Sequence, residues 1–179
     1  MTKIDKHSFN SSGLTSIIFN QALETIDIYA FSYCDQLKEV NLVDLKLKTL
    51  KQGIFSDCRL ETVYLPKQLR TLDAVVFENN PLKNIFCFSN NVNAYTSETL
   101  ETFKNVDTKE CIVHVPKGKI NIYKEAKGWN SFNSIIDDSQ DFLNRIKSKE
   151  NKSNKKSDSS KKNYGETNKL LNLTKYLNL

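Results

Sequence analysis

Hydrophobic residues recur along the first half of the chain with a period of 22 or 23 residues. Leu14, Leu37, Leu60 and Leu82 open successive copies of one pattern, spaced 23, 23 and 22 residues apart. Each copy opens with apolar residues at its first, fourth and sixth positions, which predicts a strand with one side toward a core. A copy this short cannot close a core alone, so the copies must stack. The pattern therefore predicts a solenoid whose consecutive strands pair in parallel.

The back half of each copy repeats as well, with an apolar pair ending in Phe and a cysteine or an asparagine three positions later. The pairs are Ala30-Phe31, Ile54-Phe55 and Val76-Phe77, and the residues that follow them are Cys34, Cys58 and Asn80. These residues resemble the unit of BspA-like leucine-rich repeats, roughly L-x-x-I-x-L-P-x-x-L-x-x-I-x-x-x-A-F-x-x-C. The resemblance covers about residues 4–136, with a one-residue insertion near Lys46. It implies a β-dominated leucine-rich-repeat solenoid, a short horseshoe with parallel strands on its concave face and a C-terminal cap helix. The composition of the residues after the cap predicts a disordered tail.

Residues 1–13 are predicted to be an incomplete N-terminal repeat. Ile4 and Phe9 fall at the phases of Ile26 and Phe31 and form a thin cover over the first full repeat. A solenoid end normally carries a polar-faced cap. Two expectations follow: the chain is a piece of a longer repeat array, or the uncapped edge pairs with another chain, self-association included.

The leucine-rich-repeat domain is predicted to span residues 14–138. Its parts are full repeats at 14–36, 37–59 and 60–81, an irregular last repeat at 82–115 and a cap at 116–138. Residues 96–103 have a capping-like start and an apolar i, i+3 pair, which favour one or two helical turns. In the cap, residues 120–126 predict a short helix, and Trp129 and Phe132 are similar to the closing segment of BspA-like domains. We expect Trp129 to cover the last turn.

The positive charge of the chain lies in its last 41 residues. Residues 139–179 hold 10 Lys+Arg and 4 Asp+Glu, net +6, whereas residues 1–138 hold 16 and 17, net −1. Residues 147–162 contain no apolar residue and are predicted to be disordered, and residues 168–179 have the pattern of a short amphipathic helix. The folded part is therefore not predicted to bind nucleic acid.

No segment of the sequence predicts a membrane span or an export signal. No apolar run approaches the ~18–20 residues that a transmembrane helix needs, and residues 1–20 lack a continuous apolar run of about seven. The resemblance implies proteins that are often surface-exposed or secreted. The localisation stays unknown at this stage.

The four cysteines allow more than one interpretation. Cys34 and Cys58 occupy equivalent phases of adjacent repeats, so their backbones are expected to lie about 5 Å apart, near disulfide distance. Packed free thiols are the alternative, and metal binding is a third. The chain has no C-x-x-C spacing, and His7 and His114 are isolated in the sequence.

The sequence predicts a non-catalytic protein-interaction module. It contains no phosphate-binding loop, nucleophile elbow or zinc-protease motif, so we predict no enzyme activity and no cofactor. The resemblance implies an adhesion-type role with a protein ligand. Residues between the inward positions of the strands are expected to line the concave face, with exposed aromatic side chains among them. The candidate binding residues are Ile18, Glu39, Asn41, Tyr64, Asn84 and Phe86.

Two alternatives to this assignment stay open. The residues on the concave face also fit ordinary β-propensity on a half-exposed sheet. The chain as a whole also fits a scaffold whose Lys-rich tail binds nucleic acid or an anionic surface.

Overall fold

The computed structural model describes residues 2–90, 92–94 and 101–145. The chain divides after Ser139, and the solenoid lies in the first unit, Met1–Ser139. In chain order the elements are β1 (Lys3–Ile4), β2 (Thr25–Ile26), β3 (Glu39–Asn41), β4 (Thr49–Leu50), β5 (Thr62–Tyr64), β6 (Thr71–Leu72), β7 (Asn84–Phe86), β8 (Asn93–Ala94), β9 (Ile112–His114), α1 (Ile120–Glu125) and β10 (Ser134–Ile136). Residues 139–145 are helical. No helix in these described ranges combines the length and the apolar character that crossing a bilayer requires.

Five strands form one parallel sheet in the order β10-β9-β7-β5-β3, so the strand of each turn lies beside that of the next. The register aligns one buried row of apolar residues. The row consists of Val40, Val63, Ile85, Val113 and Ile135. Side chains alternate along a strand, so burying this row turns the residues on either side of it to the opposite face. The predicted solenoid of parallel strands is confirmed.

Shorter strands pair on a second side of the solenoid, as β1-β2 and as β4-β6-β8. Ile4 pairs with Ile26, so the N-terminal residues continue the register of the repeats, as their phase predicts. The pairing is interrupted between β2 and β4, where the insertion near Lys46 lengthens the first half of the second repeat by one residue. An extra residue on one side of a ladder disrupts pairing locally, as it does in a β-bulge.

A column of phenylalanine rings runs through the core on the turn side. The rings, each stacked on the next, are Phe9, Phe31, Phe55, Phe77 and Phe103. Centroid distances between neighbours are 5.1, 5.6, 6.2 and 5.9 Å, and no interplanar angle exceeds 12°. Offset stacking of this kind adds to the burial of apolar surface. Phe103 extends the column beyond the three pairs that the repeat pattern identifies.

Cys34 and Cys58 belong to a second column, whose side chains donate hydrogen bonds to backbone carbonyls. The thiol of Cys34 donates to the Phe9 carbonyl at 3.3 Å, and that of Cys58 donates to the Phe31 carbonyl at 3.1 Å. Asn80, at the same phase, donates its amide to the Phe55 carbonyl at 2.7 Å. All four cysteines are free and buried, which confirms the packed-thiol interpretation over a disulfide. Asn80 therefore replaces cysteine without losing the contact between adjacent turns.

The C-terminal end of the core is covered by α1 and the residues after it. Trp129 is 0% exposed and donates its Nε1–H to the Val92 carbonyl at 2.8 Å. Its indole packs edge-on against Phe103 at 4.9 Å and Tyr123 at 5.2 Å. Trp129 therefore covers the last turn, as predicted.

Two predictions about local structure need correction or lie partly outside the described residues. Residues 14–20 contain no strand, although the repeat pattern predicts one there. This segment has a repeat on one side only, so a strand here would form half the hydrogen bonds of an internal strand. Of the predicted helical turns at 96–103, residues 96–100 lie outside the described part, and residues 102–105 form hydrogen-bonded turns instead. The predicted disordered segment and the Leu-rich segment both lie in 146–179, which is not described.

Candidate functional site

The outward side of the five-stranded sheet carries two rows of side chains, which we call the outer face. One row consists of Glu39, Thr62, Asn84, Ile112 and Ser134. The other consists of Asn41, Tyr64, Phe86, His114 and Ile136. Parallel in-register pairing places equivalent residues of adjacent turns side by side, so each row runs along the solenoid axis. The predicted residues Glu39, Asn41, Tyr64, Asn84 and Phe86 are thus brought together.

Three rings in the second row form a continuous stack. The centroids of Tyr64 and Phe86 are 4.8 Å apart, and those of Phe86 and His114 are 4.0 Å apart. We expected exposed aromatic residues here, and that expectation is wrong: Tyr64 and Phe86 are each 1% exposed. Alternation along a strand decides to which face a side chain points. The separation of paired strands, about 4.8 Å, then brings the ring faces together.

His114 is held between two polar side chains that are distant in sequence. Its Nδ1 lies 2.7 Å from Oδ1 of Asp138, and its Nε2 lies 3.1 Å from Oδ1 of Asn84. Both neighbouring atoms are oxygens that accept hydrogen bonds. The sequence treated His114 as isolated, because only the register of three strands brings these residues together.

Glu39 is a half-buried carboxyl group at the β3 end of the outer face. Its Oε2 is buried and has no hydrogen-bond partner. Burial raises the pKa of Glu39 to about 7, because a low-dielectric environment disfavours the charged form. The pKa of Tyr64 is raised first by burial and then by the charge of Glu39, so the two groups lie close enough to interact. At neutral pH the carboxyl group is therefore partly protonated and can donate a hydrogen bond.

Ile18 does not belong to the outer face. It lies in the irregular segment 14–20, which contributes no strand to the sheet, and its side chain is 61% exposed. The prediction that Ile18 shares a surface with Tyr64 depended on a strand in the first repeat. Since that strand does not form, Ile18 instead lines an apolar cavity at the N-terminal end of the solenoid.

His114 and two cysteines, Cys87 and Cys111, lie in or directly beside the strands of the outer face. Both ring nitrogens of His114 are engaged by oxygen atoms of the protein. Burial raises the pKa of the Cys87 thiol, and it raises that of Cys111 to about 12, so neither thiol is an activated nucleophile at neutral pH. Within residues 2–90, 92–94 and 101–145, no group of three or more His, Cys, Asp or Glu side chains is arranged to hold a metal ion.

The repeats match a known family. A family model described as "BspA type Leucine rich repeat region (6 copies)" matches residues 2–126, which is well over half of the chain. The matched region runs from β1 through α1. No curated protein matches the chain.

Proposed function

Because the chain belongs to the family of BspA-type leucine-rich-repeat proteins, we propose that its outer face binds an extended segment of another protein. The family supports a repeat protein-interaction module in general, and its members are typically non-catalytic. Solenoids commonly use the surface formed by their stacked strands to bind such ligands. Adhesion to a protein surface would be one use of this face.

The proposal rests on a pair of stacked aromatic side chains beside half-buried polar groups. The rings of Tyr64 and Phe86 stack on each other. The polar residues beside them, Glu39, Asn41 and Asn84, are half-buried. Amide and carboxyl groups supply both donors and acceptors for the backbone of an extended peptide, while desolvated aromatic side chains favour tight contacts. We therefore assign the first contacts of a ligand to the polar groups, with the rings beneath them.

A peptide-display selection against the full chain tests this proposal. Binders from the selection would be measured again with Asn41→Lys, which places a long charged side chain on the outer face. Asn130→Lys, at an exposed position outside the sheet, is the matched control. We expect Asn41→Lys to weaken binding at least about tenfold, or about 1.4 kcal/mol, and Asn130→Lys to leave it unchanged. Equal affinities for the two variants would reject the outer face as the binding surface.

A second candidate function concerns the charge of the C-terminal residues. The net charge of +6 over residues 139–179, against −1 for the remainder, favours binding to nucleic acid or an anionic surface. Removing residues 146–179 separates the two functions. Binding that disappears with this segment and weakens steeply with salt would support the electrostatic function, whereas salt-insensitive binding that survives the removal would support the outer face.

A further inference from the structure

Ion pairs join adjacent turns of the solenoid. In four of them, a carboxylate of one turn contacts the lysine ammonium group of the following turn. These pairs are Asp27–Lys51, Asp44–Lys67, Glu61–Lys83 and Glu78–Lys104, with distances of 3.0, 2.6, 2.6 and 2.9 Å. Their members lie 24, 23, 22 and 26 residues apart in the sequence, or about one repeat. The stacking of the turns therefore places a cation beside each of these four carboxylates.

Glu39 is a carboxyl group without such a lysine. The register of the sheet places the uncharged Thr62 beside it on the following turn. No residue in the described part of the chain forms an ion pair or a hydrogen bond with the Glu39 carboxyl group, although its Oε2 is buried. A half-buried carboxylate without a partner is costly to ionise, and a cation placed against it offsets that cost. Glu39 is therefore suited to receive a cation from outside the chain.

The charges around Glu39 favour the same kind of ligand. The ten residues in the two rows of the outer face include one carboxylate, that of Glu39, and neither lysine nor arginine. Lys83, which directly precedes β7, is held by Glu61, and Lys67, three residues after β5, is held by Asp44. A cationic group that approaches the outer face therefore meets a carboxylate and no lysine or arginine within the rows, which is the complementarity that selects a charged partner.

We propose that the extended segment bound by the outer face carries a lysine or arginine side chain that pairs with Glu39. This inference rests on the proposed function of the outer face and names the chemistry of its ligand. The ligand would supply the charge that a lysine of the following turn supplies at the other four carboxylates. The contact would be made through Oε1, because Oε2 is enclosed by the protein.

A backbone N–H of the ligand is the alternative donor to Glu39. It would form a hydrogen bond but leave the charge of the ionised carboxylate uncompensated, whereas a lysine or arginine side chain does both. The two alternatives make different demands on the ligand, because only the second requires a basic residue at a fixed position. The sequences of selected ligands therefore distinguish them.

Parallel peptide selections test the proposal, with one library presented to wild type, Glu39→Gln and Glu78→Gln at pH 8. The Glu39 carboxyl group is largely ionised at this pH, because burial raises its pKa to about 7. Glu78→Gln is the matched control, since it changes a carboxylate that directly follows Phe77 and is paired with Lys104. Binders that Asn41→Lys weakens are taken as ligands of the outer face. We expect them to share a lysine or arginine at one position after selection on wild type or Glu78→Gln, but not on Glu39→Gln.

A double-mutant cycle then measures the contact itself. For a binder selected on wild type, replacing the shared basic residue by Gln should raise the Kd for the wild-type protein at least about tenfold. The same replacement should raise the Kd for Glu39→Gln by less than about twofold, because the partner charge is already absent. The tenfold change should remain with Glu78→Gln.

The outcomes separate this inference from the proposed function. Outer-face binders that share no basic residue would overturn the inference and leave the proposed function intact. So would a basic residue whose replacement raises the Kd equally for wild type and Glu39→Gln. If no binder is weakened by Asn41→Lys, the proposed function fails, and the inference fails with it.

Discussion

Replacing Glu39 by Gln should stabilise the protein at alkaline pH and leave its stability nearly unchanged at acidic pH. Burial raises the pKa of this carboxyl group from 4.5 to about 7 in the folded state. Between these two values the folded state holds more protons than the unfolded state, so the free energy of unfolding falls as the pH rises. The cost of ionisation is absent below about pH 4.5 and complete above about pH 7. Gln has a similar shape and does not ionise, so the variant avoids this cost.

The size of the effect follows from the same two pKa values. Each pKa unit corresponds to 1.36 kcal/mol, which sets an upper limit of about 3 kcal/mol at pH 8. Glu39 is half-buried rather than fully enclosed, so water reduces the cost, and we expect a gain of about 1–3 kcal/mol. Urea titrations at pH 4 and pH 8, followed by the fluorescence of Trp129, the only tryptophan, would measure the difference between variant and wild type.

Glu61→Gln is the matched control, because the same substitution at Glu61 is expected to lower the stability at pH 8 and not to raise it. The side chain of Glu61 is 40% exposed, and its carboxylate lies 2.6 Å from Lys83, whose ammonium group lowers the pKa of Glu61. Removing that charge should cost stability at pH 8, by less than about 1 kcal/mol, because solvent screens exposed ion pairs. A gain for Glu39→Gln that is equal at pH 4 and pH 8, or no gain at pH 8, would refute the assignment of a buried, ionisable carboxyl group.

Three further changes test the packing of the solenoid. Trp129→Ala should lower the free energy of unfolding by about 3–5 kcal/mol, measured by circular dichroism, and an unchanged melting curve would contradict its role as a cover. Asn80→Ala removes the hydrogen bonds of Asn80 to the Leu60 N–H and to the Phe55 carbonyl of the preceding repeat, and it should cost about 2–4 kcal/mol. Asn80→Cys should cost less, because cysteine makes the carbonyl contact in other repeats, and equal costs would refute this equivalence. Gly53→Ala should cost at least about 1 kcal/mol, since φ is +63° and the new Cβ would lie 2.1 Å from the ring of Tyr29. Gly13→Ala, with nothing within 4 Å of the new Cβ, should be neutral, and similar losses at both glycines would contradict the steric argument.

The stacking of the turns could be predicted from the sequence because each turn repeats the one before it, shifted by one step along the solenoid axis. Residues one period apart occupy the same position in adjacent turns, so the phase of Phe9 was sufficient to place it on Phe31. The same reasoning placed Cys34 and Cys58 in one column, whereas the resemblance to the closing segment of BspA-like domains assigned Trp129 to the open end of the core. These relations require only that the copies stack in order.

The candidate site depended on contacts that periodicity does not encode. The phase of Tyr64 and Phe86 predicted the face to which they point, but not their burial, because accessibility depends on everything that packs around a side chain. His114 meets Asp138 and Asn84 only through the register of β7, β9 and β10, across 24 and 30 residues of chain. Ile18 does not lie on the outer face because its segment forms no strand. A repeat determines which residues are neighbours along the stack, whereas burial, proton affinity and the accessibility of a surface are properties of the whole fold, and only the tertiary structure decides them.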